Sequence, residues 1–229
     1  MSSFLKLFLL FFIYSVLGWI FEVLYIFITK GQLSNRGFLI GPYCPIYGFG
    51  SIIGILYISQ YRDNIFTVFI LGIMISCILE YITSYLMEKV FNARWWDYSK
   101  KKFNVNGRIC LNNAIAFAFL AIILVYIINP FISYIIGLIP SKLALVLSFV
   151  FLLIFIADSI VSFKITKRLK DTFKSLESTR DNTKEIKEKV FKILKENNNL
   201  FQKRILNSFP NFNILPFRIK NFKKKGNRK

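Results

Sequence analysis

The chain has 229 residues, 55% of them apolar, with three cysteines, no histidine and a formal net charge of +19. Its apolar residues gather into runs of about 20, enough to cross a hydrocarbon core of about 30 Å, which excludes a soluble globular domain; without histidine, a clustered Cys/His zinc site is excluded too, and no metal or other cofactor is expected. Nucleic acid is not the expected partner either, because 20 of the 31 Lys and Arg lie after Phe163, and in a membrane protein such asymmetry reports orientation and attraction to anionic headgroups.

The first apolar block, residues 4–28, is longer than the roughly 7–15 residues of a signal h-region and no small-x-small site follows it, so it reads as a retained helix. Further apolar segments cover residues 45–59, 65–87, 111–128 and 143–163, predicting an all-α, polytopic transmembrane bundle of about five spans. Residues 130–139, after the breaker Asn129-Pro130, are too few to span and predict a kinked extension or a re-entrant segment. Beyond Phe163, Ile165, Leu169, Phe173 and Leu176, then Ile186, Val190, Ile193 and Leu194, recur at helical spacing among Lys and Glu. The expected organisation is a transmembrane domain over 1–165, a cytoplasmic amphipathic helix over 166–206, and a basic tail over 207–229 that is disordered or lies on the membrane surface. Cys44, Cys77 and Cys110 are evenly spaced, but their surroundings share no pattern, and they read as small hydrophobes in a reduced setting.

A cytoplasmic tail puts residues 30–37 and 88–110 on the same side. The inside then holds 28 Lys and Arg against three outside, Lys6, Arg62 and Lys142. The N-terminus is therefore expected outside and the C-terminus in the cytoplasm of a multi-pass cell-membrane protein.

Three acids interrupt the apolar spans: Glu22, Glu80 and Asp158. Each lies six to eight residues before a charged residue at the inner boundary, or roughly 9–12 Å inside it at about 1.5 Å per residue. A charge near mid-membrane costs at least about 2.5 kcal/mol, so such groups face protein or water, as a working site or as packing ion pairs. Glu22 shares a helical face with Ser15, Gly18 and Trp19, and Glu80 with Thr83 and Ser84. Between the first two spans, residues 35–48 hold Gly41, Pro42, Pro45 and Gly48. A helix beginning at Pro42 or Pro45 would aim its free N–H groups and positive dipole end toward Arg36, which makes either an anion site or a packing motif. Before the fourth span, Arg94-Trp95-Trp96-Asp97-Tyr98-Ser99 combines interface aromatics with charge. Arg94, Asp97 and Arg108 could hold a carboxylate or phosphate, and residues 100–102 read as headgroup contacts. Asn112 and Asn113 need hydrogen-bond partners, which Arg108 or Glu80 could supply. The candidate polar cluster is thus Glu22, Arg36, Glu80, Arg94, Asp97, Arg108 and Asn112.

Taken in order, Gly18-Trp19 before Glu22, residues 35–48, Glu80 to Glu88 with Thr83-Ser84, residues 94–99 and residues 106–111 resemble the putative ABC-transporter permease family called CmpB-like, or type IV, over about residues 1–165. Phe209-Pro210 fits the same resemblance. It implies a permease component. No GxxxxGK[ST] loop occurs, so ATP hydrolysis by that route would belong to a separate partner chain; no Glu-Ala-Ala coupling-loop signature is present. Three functions are compatible with the residues: a transporter component acting on a small-molecule substrate, a membrane enzyme acting on an anionic lipid or isoprenoid phosphate headgroup, and a non-catalytic scaffold. About five spans are few for a self-contained carrier, so a homo-oligomer or a separate ATPase is an expected partner, alongside anionic bilayer lipids.

Overall fold

The structure, a computed structural model, describes residues 2–31, 33, 35, 37–91, 93–177 and 213–214. Helix α1 (Ser3–Lys30) starts where the Ser2 hydroxyl accepts the Leu5 N–H, and stops at Gly31, whose φ of 66° suits a residue without Cβ and whose N–H returns to the Phe27 carbonyl. Residues 37–44 are not helical. They bring the chain back to α1, where the Cys44 N–H donates to the Ser15 carbonyl at 2.8 Å, about halfway along that helix. There α2 (Pro45–Ile53) begins, with proline in its first turn. It continues through a π-helical turn (Gly54–Ile58) and a 3-10 turn (Ser59–Tyr61).

Among the described residues, four helices are long and apolar enough to cross a membrane: Ser3–Thr29, Ile65–Phe91, Leu111–Gly137 and Ser141–Arg168. Five were expected, and the difference lies in the second segment. Pro45 fixes a helix start beside the middle of α1, so an irregular loop covers the first half of that crossing and helix only the second. Such backbone is tolerated at membrane depth only where protein or enclosed water satisfies it.

Helix α3 (Ile65–Phe91) leads into strand β1 (Ala93–Arg94) and a hairpin of β2 (Asn104–Val105) and β3 (Ile109–Cys110), which pairs Asn104 with Cys110 and Val105 with Ile109. Its turn is Asn106-Gly107, with φ of 53° and 68°, closed by the Arg108 N–H on the Val105 carbonyl. Positive φ at both central residues is the hairpin geometry that Asn-Gly favours. Strand β4 (Asn213–Ile214) pairs antiparallel with β1.

Helix α4 (Leu111–Ile123) passes through a π-helical turn (Leu124–Ile128) into α5 (Asn129–Gly137) without a break. Pro130 has no N–H to give and its ring crowds the preceding turn; the wider turn before it, in which the Asn129 N–H reaches back to the Leu124 carbonyl, absorbs both. Residues 130–137 therefore extend the third long span, and the re-entrant alternative does not hold. Asn129 also ties this helix to α1, its side-chain carbonyl accepting from Tyr14 and Ser133. Helix α6 (Ser141–Glu177) runs unbroken past Phe163, so the start of the expected amphipathic region continues the last span. Residues 178–206, and 207–229 apart from β4, lie outside the described residues.

The helices meet over small residues, as membrane helices do in lipid. Gly18 lies against the Tyr47 ring, Gly48 against Phe11 and Ser15, and Gly72 against Ala118 and Ala121. Apolar clusters fill the interior around Leu9, Leu10, Tyr14, Ile136 and Ala144, around Phe12, Leu39 and Tyr43, and around Ile58, Val68 and Val125. Phe38 packs on Phe91 and Trp95, and Phe91 on Phe163. These contacts collect the ends of α1 and α3, the hairpin and the outer part of α6 at one end of the bundle, called here the loop end.

Candidate functional site

Near the loop end, Glu22 on α1 and Glu80 on α3 lie close enough for their charges to act on one another. Each is held by a tyrosine from an irregular or broken element. The Tyr47 hydroxyl, from the first turn of α2, donates to Glu22 at 2.6 Å. The Tyr98 hydroxyl, from the segment between β1 and β2, donates to Glu80 at 2.9 Å. Glu80 is only 7% exposed. Tyr98 in turn accepts from the Asn113 amide at 2.7 Å, and Asn113 accepts from the Lys101 ammonium at 3.2 Å, which also stands 5.1 Å from the Tyr98 ring centre. Burial first, and then the charge of Glu80, hold the Tyr98 phenol far above its ordinary range, so Tyr98 remains a proton donor. A carboxylate that accepts one tyrosine hydroxyl has further acceptor capacity for a donor on a solute.

A second cluster sits one to two helical turns further out on the same face of α3. Glu88 accepts from the Arg94 guanidinium and from the Arg108 guanidinium, both at 2.8 Å. Arg108 is 7% exposed, donates to Ser84 at 3.3 Å, and lies over the rings of Tyr81 and Tyr85. Its backbone carbonyl takes the Trp96 indole N–H. Asp97 faces Arg94 at 3.9 Å and accepts both the hydroxyl and the N–H of Ser99. The Ser99 hydroxyl, more than burial opposes it, holds the Asp97 carboxyl below its usual range.

A third centre ties the loop to α6. Asp158 accepts from the Ile40 N–H at 2.9 Å, the Gly41 N–H at 2.7 Å, the Tyr43 hydroxyl at 2.6 Å and the Ser162 hydroxyl at 2.8 Å. The anion held by the backbone around Gly41 and Pro42 is thus a carboxylate of this chain. Nearby, the Trp19 indole donates to Asn35 at 2.7 Å.

The structure therefore brings Glu22 and Glu80 together and groups Arg94, Asp97 and Arg108 around Glu88. Asn112 is exposed at the start of α4, and its neighbour Asn113 makes the contact to Tyr98. Pro45 opens α2, while Gly48 is buried against α1 as a close-packing residue. Arg36 lies outside the described residues. Tyr47, Tyr98, Asn113 and Glu88 were not among the candidates read from sequence. Glu88 had a signal, since Glu80, Ser84 and Glu88 recur every fourth residue on one face. Tyr98 had none: beside Trp95 and Trp96 it reads as one more interface aromatic.

No curated protein and no solved structure matches the chain. The family described as "Putative ABC-transporter type IV" matches residues 9–163, which with the four membrane-length helices makes this a multi-pass membrane protein belonging to that ABC-transporter family.

Proposed function

We propose that this chain is the membrane-embedded component of a transporter, that its loop end faces the cytoplasm, and that the Glu22–Glu80 pair lies on the path of a polar small molecule. The observation that carries the reading is that two neighbouring spans each hold an acid by a tyrosine: Glu22 on α1 takes the Tyr47 hydroxyl, and buried Glu80 on α3 takes the Tyr98 hydroxyl. Acids kept at such depth are characteristic of solute and ion pathways. A helix that starts at mid-bundle beside them is a recurrent feature of transport sites. Glu88 engages both Arg94 and Arg108, so these two guanidiniums are turned to a carboxylate of the chain, which favours transport over chemistry on a lipid headgroup. In this reading ATP hydrolysis falls to a partner subunit, in keeping with the family match and with this sequence, which carries no GxxxxGK[ST] loop.

Two experiments test this reading. Affinity-tagged protein drawn from native membranes should carry an ATP-hydrolysing subunit whose activity in proteoliposomes changes when this chain is present; an ATPase rate indifferent to the chain would argue against the assembly. For orientation, an impermeant thiol reagent on intact cells should label Asp63→Cys and spare Ser99→Cys, both positions being exposed. The reverse pattern would invert the assigned topology.

A further inference from the structure

We propose that the turn leading into β2, residues 99–103, is a docking site for anionic lipid headgroups, with Lys100 and Lys102 taking the phosphate charge and Phe103 seated at the boundary between headgroups and acyl chains. The inference rests on the multi-pass architecture and does not depend on the transport site. Phe103 is 78% exposed and has a φ of 51°. A bulky side chain in the left-handed region is uncommon, and nothing among the described residues covers it in return. Its depth is set by two contacts. The Leu111 N–H donates to the Phe103 carbonyl at 3.1 Å, and Lys101 reaches Asn113 in the first turn of α4. This turn is therefore held beside the start of a membrane-length helix. From that start, Leu111, Ile115 and Phe119 are exposed along one apolar stripe of α4, and Phe103 stands at its head.

The charges at this level suit the same occupant. Lys101 is engaged by Asn113 and the Tyr98 ring, whereas Lys100 and Lys102 are exposed and make no ion pair among the described residues. A basic pair flanking an exposed aromatic at the membrane boundary matches an anionic leaflet surface, where ammonium groups meet phosphate and the ring enters the acyl region.

The test uses the full chain in nanodiscs of phosphatidylcholine alone or with phosphatidylglycerol, with a photoreactive benzoyl analogue of phenylalanine replacing Phe103. Illumination should give lipid adducts by mass spectrometry, enriched for phosphatidylglycerol. Lys100→Gln with Lys102→Gln should lower that enrichment by roughly thirtyfold, since two lysines near an anionic surface contribute about 1 kcal/mol each and every 1.4 kcal/mol is about tenfold. The basic tail is the same in both proteins, so this difference reads the 99–103 turn alone. Adducts mainly to another polypeptide in native membranes would assign this turn to a protein partner and overturn the proposal. So would the absence of lipid adducts in both discs, or a yield indifferent to phosphatidylglycerol and to the two substitutions.

Discussion

Asp158→Ala is expected to release the loop that carries the chain into α2. The carboxylate is the acceptor for the N–H groups of Ile40 and Gly41 and for the hydroxyls of Tyr43 and Ser162. Its removal strands several donors in a medium without bulk water, at roughly 1–3 kcal/mol for each group left unpaired. The expected loss is therefore on the order of 4 kcal/mol, enough to consume much of the stability of an ordinary domain. It should appear as a lowered unfolding temperature in detergent and as new protease cleavage within residues 37–44. Asp158→Asn keeps one acceptor oxygen and should fall between the two. Unchanged melting and an uncleaved loop in Asp158→Ala would show that the loop is held by other contacts.

Glu88→Ala should be nearly as disruptive, for a different reason. It leaves Arg94 and Arg108 facing each other without their shared carboxylate, and Arg108 is buried. Breaking a buried pair by removing one partner costs about 3–5 kcal/mol, whereas replacing the whole group by apolar residues can be close to neutral. The partial exposure of Glu88 places the expected loss at the lower end, about 3 kcal/mol. A triple replacement, Glu88→Leu with Arg94→Met and Arg108→Met, should recover much of the melting temperature. If Glu88→Ala melts like the parent protein, the ion pairs are surface decoration and the hairpin is held by its apolar contacts.

The four long helices were legible because a membrane demands long apolar runs, a signal held within each segment. The second segment was read as a full span because its composition is apolar, and composition alone does not say how far along the bundle a helix starting at Pro45 begins. That depends on the Cys44 N–H meeting the Ser15 carbonyl, a tertiary contact. Asp158 and Gly41 are 117 residues apart, so no local pattern links them. The hairpin escaped notice because its strands are two residues each, although Asn106-Gly107 is a recognised turn pair. Arg108 was expected to help satisfy the polar groups near Glu80; instead the nearer acid one turn beyond Ser84 takes it, and Tyr98 fills its place at Glu80.

The proposed function turns on whether the Glu22–Glu80 pair works on a solute or merely holds helices together. Glu80→Gln separates the two, because the amide keeps the shape and an oxygen for the Tyr98 hydroxyl while removing the charge. A strain lacking this chain should show a shifted distribution of solutes between cells and medium, measured by untargeted mass spectrometry, that the parent gene restores. The account predicts that Glu80→Gln reaches the parent level in the membrane and melts within about 1 kcal/mol of it, because the shape and the Tyr98 hydrogen bond are kept, yet fails to restore the distribution. Full restoration by Glu80→Gln, or a failure fully explained by loss of protein from the membrane, would contradict it.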